Sequence, residues 1–361
     1  MGSVKSRGVV FLSLAAAMGG FLFGYDTAVI NGGEQQIQSV WNLSSFVHGL
    51  VMSSALWGTV IGAMCGGKVC DRIGRKPTLF WVGVLYSVSA IWSALAFGPN
   101  DLMVARFIGG LGVGASSIAA PVYIAEISPA ESRGKLGGLF QFNIVLGMVV
   151  SQFVNWALGG IGENAWRWML GAEAVPALVF TMMTLFLSES PRWNGESAFA
   201  EATADKRVTY PPGEASRRRR CPSRGGNGES EMGNGFFSRR NMRPILLAFF
   251  LAMFNQLSGI NAMMYFAKRV FEMAGLSPQA ALGTAAAMSV VLGLGTFAGL
   301  FLIDRLGRRT LLIVGSIGCI AAHFATAAAF VFFGTCFVAH LVWAIFICPE
   351  TKGKALEEIN L

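Results

Sequence analysis

Long apolar runs alternate with short polar ones along most of the chain. Candidate membrane-crossing runs lie at 9–30, 46–66, 78–97, 102–122, 136–158, 168–187, 245–266, 280–303 and 311–333. Each is about 20 residues long, the length a helix needs to cross the hydrocarbon core. Backbone in lipid must satisfy its own hydrogen bonds, so runs of this kind are helices. The pattern predicts an all-α, polytopic membrane protein. Residues 194–243 break it, with Pro211-Pro212, the run Arg217–Arg220 and a Gly/Asn/Ser/Glu-rich stretch. That composition reads as a disordered linker, whose arginines suit anionic lipid. The expected organisation is a six-helix bundle over 1–190, a basic linker over 191–244 and a C-terminal helical bundle over 245–361.

Charge between the runs sets the expected topology. Gly67–Pro77, GKVCDRIGRKP, holds Lys68, Asp71, Arg72, Arg75 and Lys76, with Gly74 permitting a tight turn. Short cationic loops mark the cytoplasmic side. The same side is expected for Arg133 and Lys135, the segment before Pro244, and Arg305–Arg309. Asn31–Ser45 and Gly98–Asp101 are expected outside and carry no Lys or Arg, whereas Arg167, Lys268 and Arg269 are exceptions to the bias. Lys5 and Arg7 ahead of Val9–Met18 have the layout of a signal peptide, but the apolar run continues to Ile30, which makes it a span with the N-terminus inside. The turn motif returns as DRLGRR at Asp304–Arg309, again between apolar runs. One basic turn is a topological anchor; two copies of one turn point to two related halves.

Composition agrees. The chain is 53% hydrophobic and 13% charged, against about 25% charged in soluble domains. Its 45 Gly suit close helix packing in a membrane. The net charge of +8 falls in short loops, so it reflects topology and not nucleic-acid binding. The six Cys show no CxxC spacing and read as small buried hydrophobes. His48, His323 and His340 stand isolated in apolar runs. No metal cluster, phosphate-binding loop or nucleophile motif is present, and neither a cofactor nor an enzyme activity is expected.

Polar residues inside the runs carry the candidate chemistry. Asp26 lies in the first span, where a carboxylate is costly unless paired, hydrated or protonated. It is either an end residue that reaches water or a proton carrier. Arg106, in the fourth span, cannot shed its charge and needs an acid or a wet cavity, unless it snorkels to the surface. Gly58, Gly62 and Gly66 recur every four residues and form a helix-packing stripe. Gln141 opens the fifth span, as a ligand contact or as interhelix glue. In Asn255–Ala267, NQLSGINAMMYFA, a straight helix would point Asn255, Gln256 and Asn261 in different directions, and Gly259 would permit a break. Asn42-Leu43-Ser44 is a glycosylation sequon in the first outside loop.

Several of these stretches resemble the sugar porter branch of the major facilitator superfamily. They are the paired Asp-Arg-x-Gly-Arg turns, FGYDTAVINGG around Asp26, PVYIAEISPAESRG at 121–134, and Gln141 with Ile144 and Gly147. SESPRW at 188–193, NQLSGIN at 255–261 and PETKG near the end complete the set. The resemblance implies that Asp26 and Arg106 form a proton-coupling pair and that Gln141, Gln256, Asn261 and Asn255 contact sugar. It further implies cytoplasmic ion pairs among Asp71, Arg72, Arg75, Glu126, Arg133, Glu189, Arg192, Asp304, Arg305, Arg308 and Glu350. The chain departs from the family at Ser188, at Asn255, and at Leu292 in place of a sugar-contacting asparagine. After the ninth run the next stretch, Cys336–Ile347, is too short to span and leads straight into PETKG, so the region of the tenth and eleventh spans is missing.

The expected function is proton-coupled transport of a monosaccharide by alternating access, at a plasma membrane. The expected partners are a small sugar, protons and the lipid bilayer, with no nucleic acid. A non-transporting sugar sensor, or an inactive shortened remnant, is the alternative.

Overall fold

The computed structural model describes residues 2–129, 133–190, 193, 239–257, 259–325 and 338. Among them it has eleven helices and no strand. They are α1 (Gly2–Val40), α2 (Ser45–Ile73), α3 (Arg75–Leu95), α4 (Pro99–Ile127), α5 (Arg133–Leu158), α6 (Ala165–Ala172) and α7 (Ala174–Leu185). Then come α8 (Arg239–Leu257), α9 (Ile260–Met273), α10 (Pro278–Leu306) and α11 (Arg308–Ala325). Seven stretches among the described residues are long and apolar enough to cross a membrane: Gly8–Val40, Ser45–Ile73, Arg75–Leu95, Pro99–Ile127, Leu136–Leu158, Ala165–Leu185 and Pro278–Leu302.

Two helices run well past their expected ends. α1 continues to Val40, so most of the expected Asn31–Ser45 loop is helical. Gly32 and Gly33 do not break it because they are contact points: a Cβ on Gly32 would strike Asn155 and Met169, and one on Gly33 would strike Trp166. α2 continues to Ile73, which reduces the basic turn to Gly74 alone, with φ +97°. Gly307, with φ +85°, makes the equivalent turn between α10 and α11. Both glycines adopt a backbone that side chains resist. Ser44 of the sequon caps α2, accepting from the Val47 amide at 3.4 Å, while Asn42 sits at φ +47°.

The sixth expected span is one apolar stretch, Ala165–Leu185, interrupted at a single residue that keeps helical φ −61° and ψ −25°. Pro176 has no amide hydrogen to offer the Ala172 carbonyl, and the interruption falls at Glu173, between α6 and α7. The seventh is split, between Leu257 and Ile260, with Gly259 at φ +78°. The described apolar part of the seventh run is Ile245–Phe254 and that of α11 is Arg309–Ala321, while 326–333 of the expected 311–333 run lie outside the described residues.

The chain divides into two compact units, Met1–Ser197 with Ala262–Ala298, and Ala198–Asn261 with Gly299–Leu361. In the first, α2 packs on α4 and α1 on α5. The glycine stripe is the α2–α4 seam: a Cβ on Gly58, Gly62 or Gly66 would strike the α4 backbone at Phe107, Leu111 or Ala115. Gly110 and Gly114 return the contact against Ala55 and Thr59. On the other seam, Gly24 meets the Ile144 carbonyl and Gly147 the Phe21 carbonyl. Two apolar clusters line α1, one around Leu22, Tyr86, Tyr123 and Phe180, the other around Ile30, Trp166, Met169 and Tyr265. Cys70 is buried as expected, Cys319 is half-buried, and Cys65 is exposed on the outer face of α2. The second unit holds α8, the first residues of α9, the end of α10, and α11. The 191–244 linker lies outside the described residues apart from Trp193 and 239–244, and residues 339–361, with PETKG, lie wholly outside them.

Candidate functional site

α1 and α4 bring Asp26 and Arg106 together inside the first unit. Arg106 Nη1 donates to the Asp26 carboxylate, and Nη2 donates to the Asp26 main-chain carbonyl at 3.1 Å. Both residues are buried, at 3% and 2% exposure, so neither reaches water at a helix end. Room for the pair comes from glycine: a Cβ on Gly109 would strike Ser89 and come within 3.8 Å of the Asp26 carboxylate.

A third charge, not singled out in the sequence, completes the site. Glu173 sits at the α6–α7 junction and is 3% exposed. Its carboxyl is close enough to Asp26 and Arg106 to interact electrostatically with both. Its Oε1 is buried with no hydrogen-bonding partner among the described residues. The signal was the one that marks Asp26: Glu173 is an acid inside an apolar run, 168–187. Tyr265 of α9 is buried close enough to Arg106 and Asp26 to interact with both.

The candidate sugar contacts lie in different units. Gln141 is exposed on α5 in the first unit. Gln256 and Asn261 lie in the second, where the break at Gly259 turns one amide onto the other: Asn261 Nδ2 donates to Gln256 Oε1 at 2.5 Å. The Gly259 amide closes the turn onto the Gln256 carbonyl at 3.3 Å. The Asn255 side chain lies outside the described residues, and Leu292 packs against the apolar cluster around Ile30 and Tyr265.

At the Gly74 end, Arg75 is the hub. Its guanidinium donates twice to Glu126, through Nε and Nη2, each at 3.0 Å, and reaches Asp71 at 3.3 Å and the Cys70 carbonyl at 3.3 Å. Glu189 caps α3, accepting from the amides of Arg75 at 2.9 Å and Lys76 at 3.2 Å. Lys76 Nζ donates to the Leu185 carbonyl, and Trp193 to the Asp71 carbonyl, each at 3.0 Å. Arg72 is exposed and outside this cluster, and Arg305 is exposed near the end of α10. The side chains of Arg133, Asp304 and Arg308, and all of Arg192 and Glu350, lie outside the described residues.

His48 is not isolated, contrary to the expectation from its apolar run. Its Nε2 lies 3.0 Å from Glu34 Oε2. The cations that break the topological bias are also engaged. Arg269 grips Glu34, Lys268 Nζ lies 3.9 Å from Glu272, and Arg167 donates to the Ala94 carbonyl at 2.9 Å while stacking over Trp166. No group of three or more His, Cys, Asp or Glu among the described residues could hold a metal ion.

Residues 12–330 match the family described as sugar (and other) transporter. The chain is 35% identical over 317 residues to an arabinose-proton symporter of Bacillus subtilis, a match covering 85% of this chain and 68% of the relative. It is 31% identical over 363 residues to the D-xylose-proton symporter of Escherichia coli, covering 90% of this chain and 73% of that one. Among solved structures it is similar to the crystal structure of a D-xylose-proton symporter, at 29% identity and a TM-score of 0.70, covering 94% of this chain and 80% of the other. These relatives are transporters, not enzymes. The chain is an integral membrane protein that belongs to the sugar transporter family, the sugar porters of the major facilitator superfamily.

Proposed function

We propose that the chain moves a monosaccharide across a membrane together with a proton, by alternating access. The observation that carries this reading is the burial of Asp26, Arg106 and Glu173 in one site within the spans. Two carboxylates against one guanidinium leave a net negative charge in a dry place, which is costly. Holding one proton removes it. Such a site takes up and releases a proton as its surroundings change. Protonation of Asp26 weakens its hold on Arg106, and Glu173 stands ready as the second counter-charge. The symporters to which the chain is similar are named for arabinose and for D-xylose with a proton, which supports a pentose as cargo, with a hexose as the alternative.

A hydroxyl-rich ligand needs several oriented donors and acceptors. Gln141, Gln256 and Asn261 supply amides of that kind, with Asn255 as a fourth. The break at Gly259 frees Gln256 and Asn261 from helical direction, which suits them to wrap a sugar. Arg75 with Glu126, Asp71 and Glu189 acts as a latch at the Gly74 end, which we place in the cytoplasm with the N-terminus, at a plasma membrane. Ion pairs there hold the inner side shut while the sugar site faces out.

The test is uptake of radiolabelled xylose, arabinose and glucose by proteoliposomes holding the purified chain, with and without an inward proton gradient. Accumulation that needs the gradient supports the reading. Sugar binding with no transport under either condition replaces it with a sensor.

A further inference from the structure

A second buried acid lies on α1, at Glu34, about 12 Å along the helix axis from Asp26 at 1.5 Å per residue. Its carboxylate has 0% exposure and is held from two other helices. From α9, Arg269 donates through Nε at 3.0 Å and Nη2 at 2.9 Å. From α2, His48 Nε2 lies 3.0 Å from Oε2. Around this knot, Arg269 Nη2 also donates to Gln38 at 2.6 Å, Gln35 donates to Glu272 at 2.5 Å, and the Lys268 amide donates to Asn31 at 2.9 Å. All these residues belong to the first unit. The knot lies at the Ser45 end of α2, about 40 Å of helix from Gly74.

We propose that His48 is a second proton-binding site, and that its protonation tightens a latch in which Glu34 ties α1 and α2 to α9. Against a carboxylate, Nε2 carries the hydrogen, so the proton is taken at Nδ1. That atom is buried and has no hydrogen-bonding partner among the described residues. The Phe266 ring is an aromatic neighbour, centred 6.4 Å from the imidazole and tilted by 58°. The contact with Glu34 is charge-assisted already, and an imidazolium adds the attraction of opposite charges to it. The charged groups around it are few. Glu34 faces it from α1 and Arg269 from α9; Lys268 and Glu272 on α9 pair with each other. α2 brings no other charge to this end, and Glu163 of the α5–α6 turn stands with Gln36 on the rim of a surface cavity of about 560 Å³. Histidine is the side chain that changes charge across the physiological range. Acid therefore closes this end and base loosens it. The inference rests on the transport reading only for its consequence, which is that sugar enters from this end when the latch is open.

Backbone hydrogen exchange on the full-length protein in lipid nanodiscs tests it, at about pH 5.5 and about pH 8, corrected for intrinsic rates. The expected result is roughly three- to tenfold slower exchange in acid for peptides covering 34–48 and 262–273, with no change at the α2–α4 seam. In His48→Gln, which keeps a donor but does not titrate, the difference disappears. Equal exchange at both pH values in the unsubstituted protein overturns the proposal, whether or not the variant folds. A full pH difference persisting in His48→Gln also overturns it. Because the readout is exchange and not uptake, a failure to transport sugar leaves it standing, and a working symporter without the pH difference sinks it alone.

Discussion

Arg106 holds Asp26 at two points, the carboxylate through Nη1 and the main-chain carbonyl through Nη2. The second contact does not depend on the charge of the carboxylate. When Asp26 is neutralised, Arg106 keeps one anchor on α1 while its other nitrogens are free to turn toward Glu173. On the proposed coupling, the main-chain contact would hold α1 to α4 while the pair changes charge. Breaking a buried pair outright by removing one partner costs about 3–5 kcal/mol. Arg106→Ala is therefore expected to fold poorly, and the carboxyl groups are the informative positions.

Glu173→Gln keeps the shape of the α6–α7 junction and removes the second counter-charge. Uphill sugar accumulation is expected to fall several-fold, while sugar exchange at equilibrium is retained. Comparing gradient-driven uptake with counterflow in the same vesicles checks this. Loss of both in a well-folded variant assigns Glu173 to the sugar path instead.

Asn261→Ala removes the donor that reaches Gln256 across the break. On the proposed role it also removes one hydrogen bond to the sugar, and a loss of about 1.4 kcal/mol corresponds to roughly tenfold weaker binding. Isothermal titration with the transported sugar measures it. A smaller loss in Asn255→Ala is expected if the shorter amide at that position makes no direct contact.

Gly62→Val places a side chain against the Leu111 backbone on the α2–α4 seam. Overpacking of this kind destabilises by about 1–3 kcal/mol. A lowered midpoint in a thermal unfolding assay in detergent is expected, whereas Gly67→Val, at a glycine with open space around it, is expected to leave the midpoint unchanged.

Glu189→Ala leaves the first amides of α3 without their acceptor. The loss of a helix cap costs about 0.5–2 kcal/mol. At the Gly74 end it also frees the α2–α3 turn, so proteolysis or cysteine labelling in residues 67–77 is expected to rise.

Much of this was legible in the sequence, for a physical reason. An ionised group in an apolar run stands out because lipid tolerates it so poorly, which is why Asp26 and Arg106 were visible although 80 residues separate them. The same criterion applies to Glu173, whose span was visible but whose nearness to Asp26 and Arg106 was not, because spacing along the chain does not encode it. Glycine at every fourth position was readable because helical period alone puts Gly58, Gly62 and Gly66 on one face. The knot at Glu34 was not readable. Gly32-Gly33 followed by Glu34, Gln35 and Gln36 has the composition of a loop, and only packing against Asn155 and Trp166 makes it helix. His48 looked alone because its partner lies on the preceding helix, across a turn, where no periodicity links them. The grip of Arg75 on Glu126 joins α3 to α4 and entered through family resemblance, since spacing does not encode contacts between helices.

The central claim is that proton coupling passes through Asp26. Its most direct test is gradient-driven uptake of labelled sugar by proteoliposomes carrying Asp26→Asn, beside the unsubstituted protein. The account predicts that the variant no longer concentrates sugar against its gradient yet still exchanges it across the membrane. Undiminished, gradient-dependent accumulation by Asp26→Asn would contradict it.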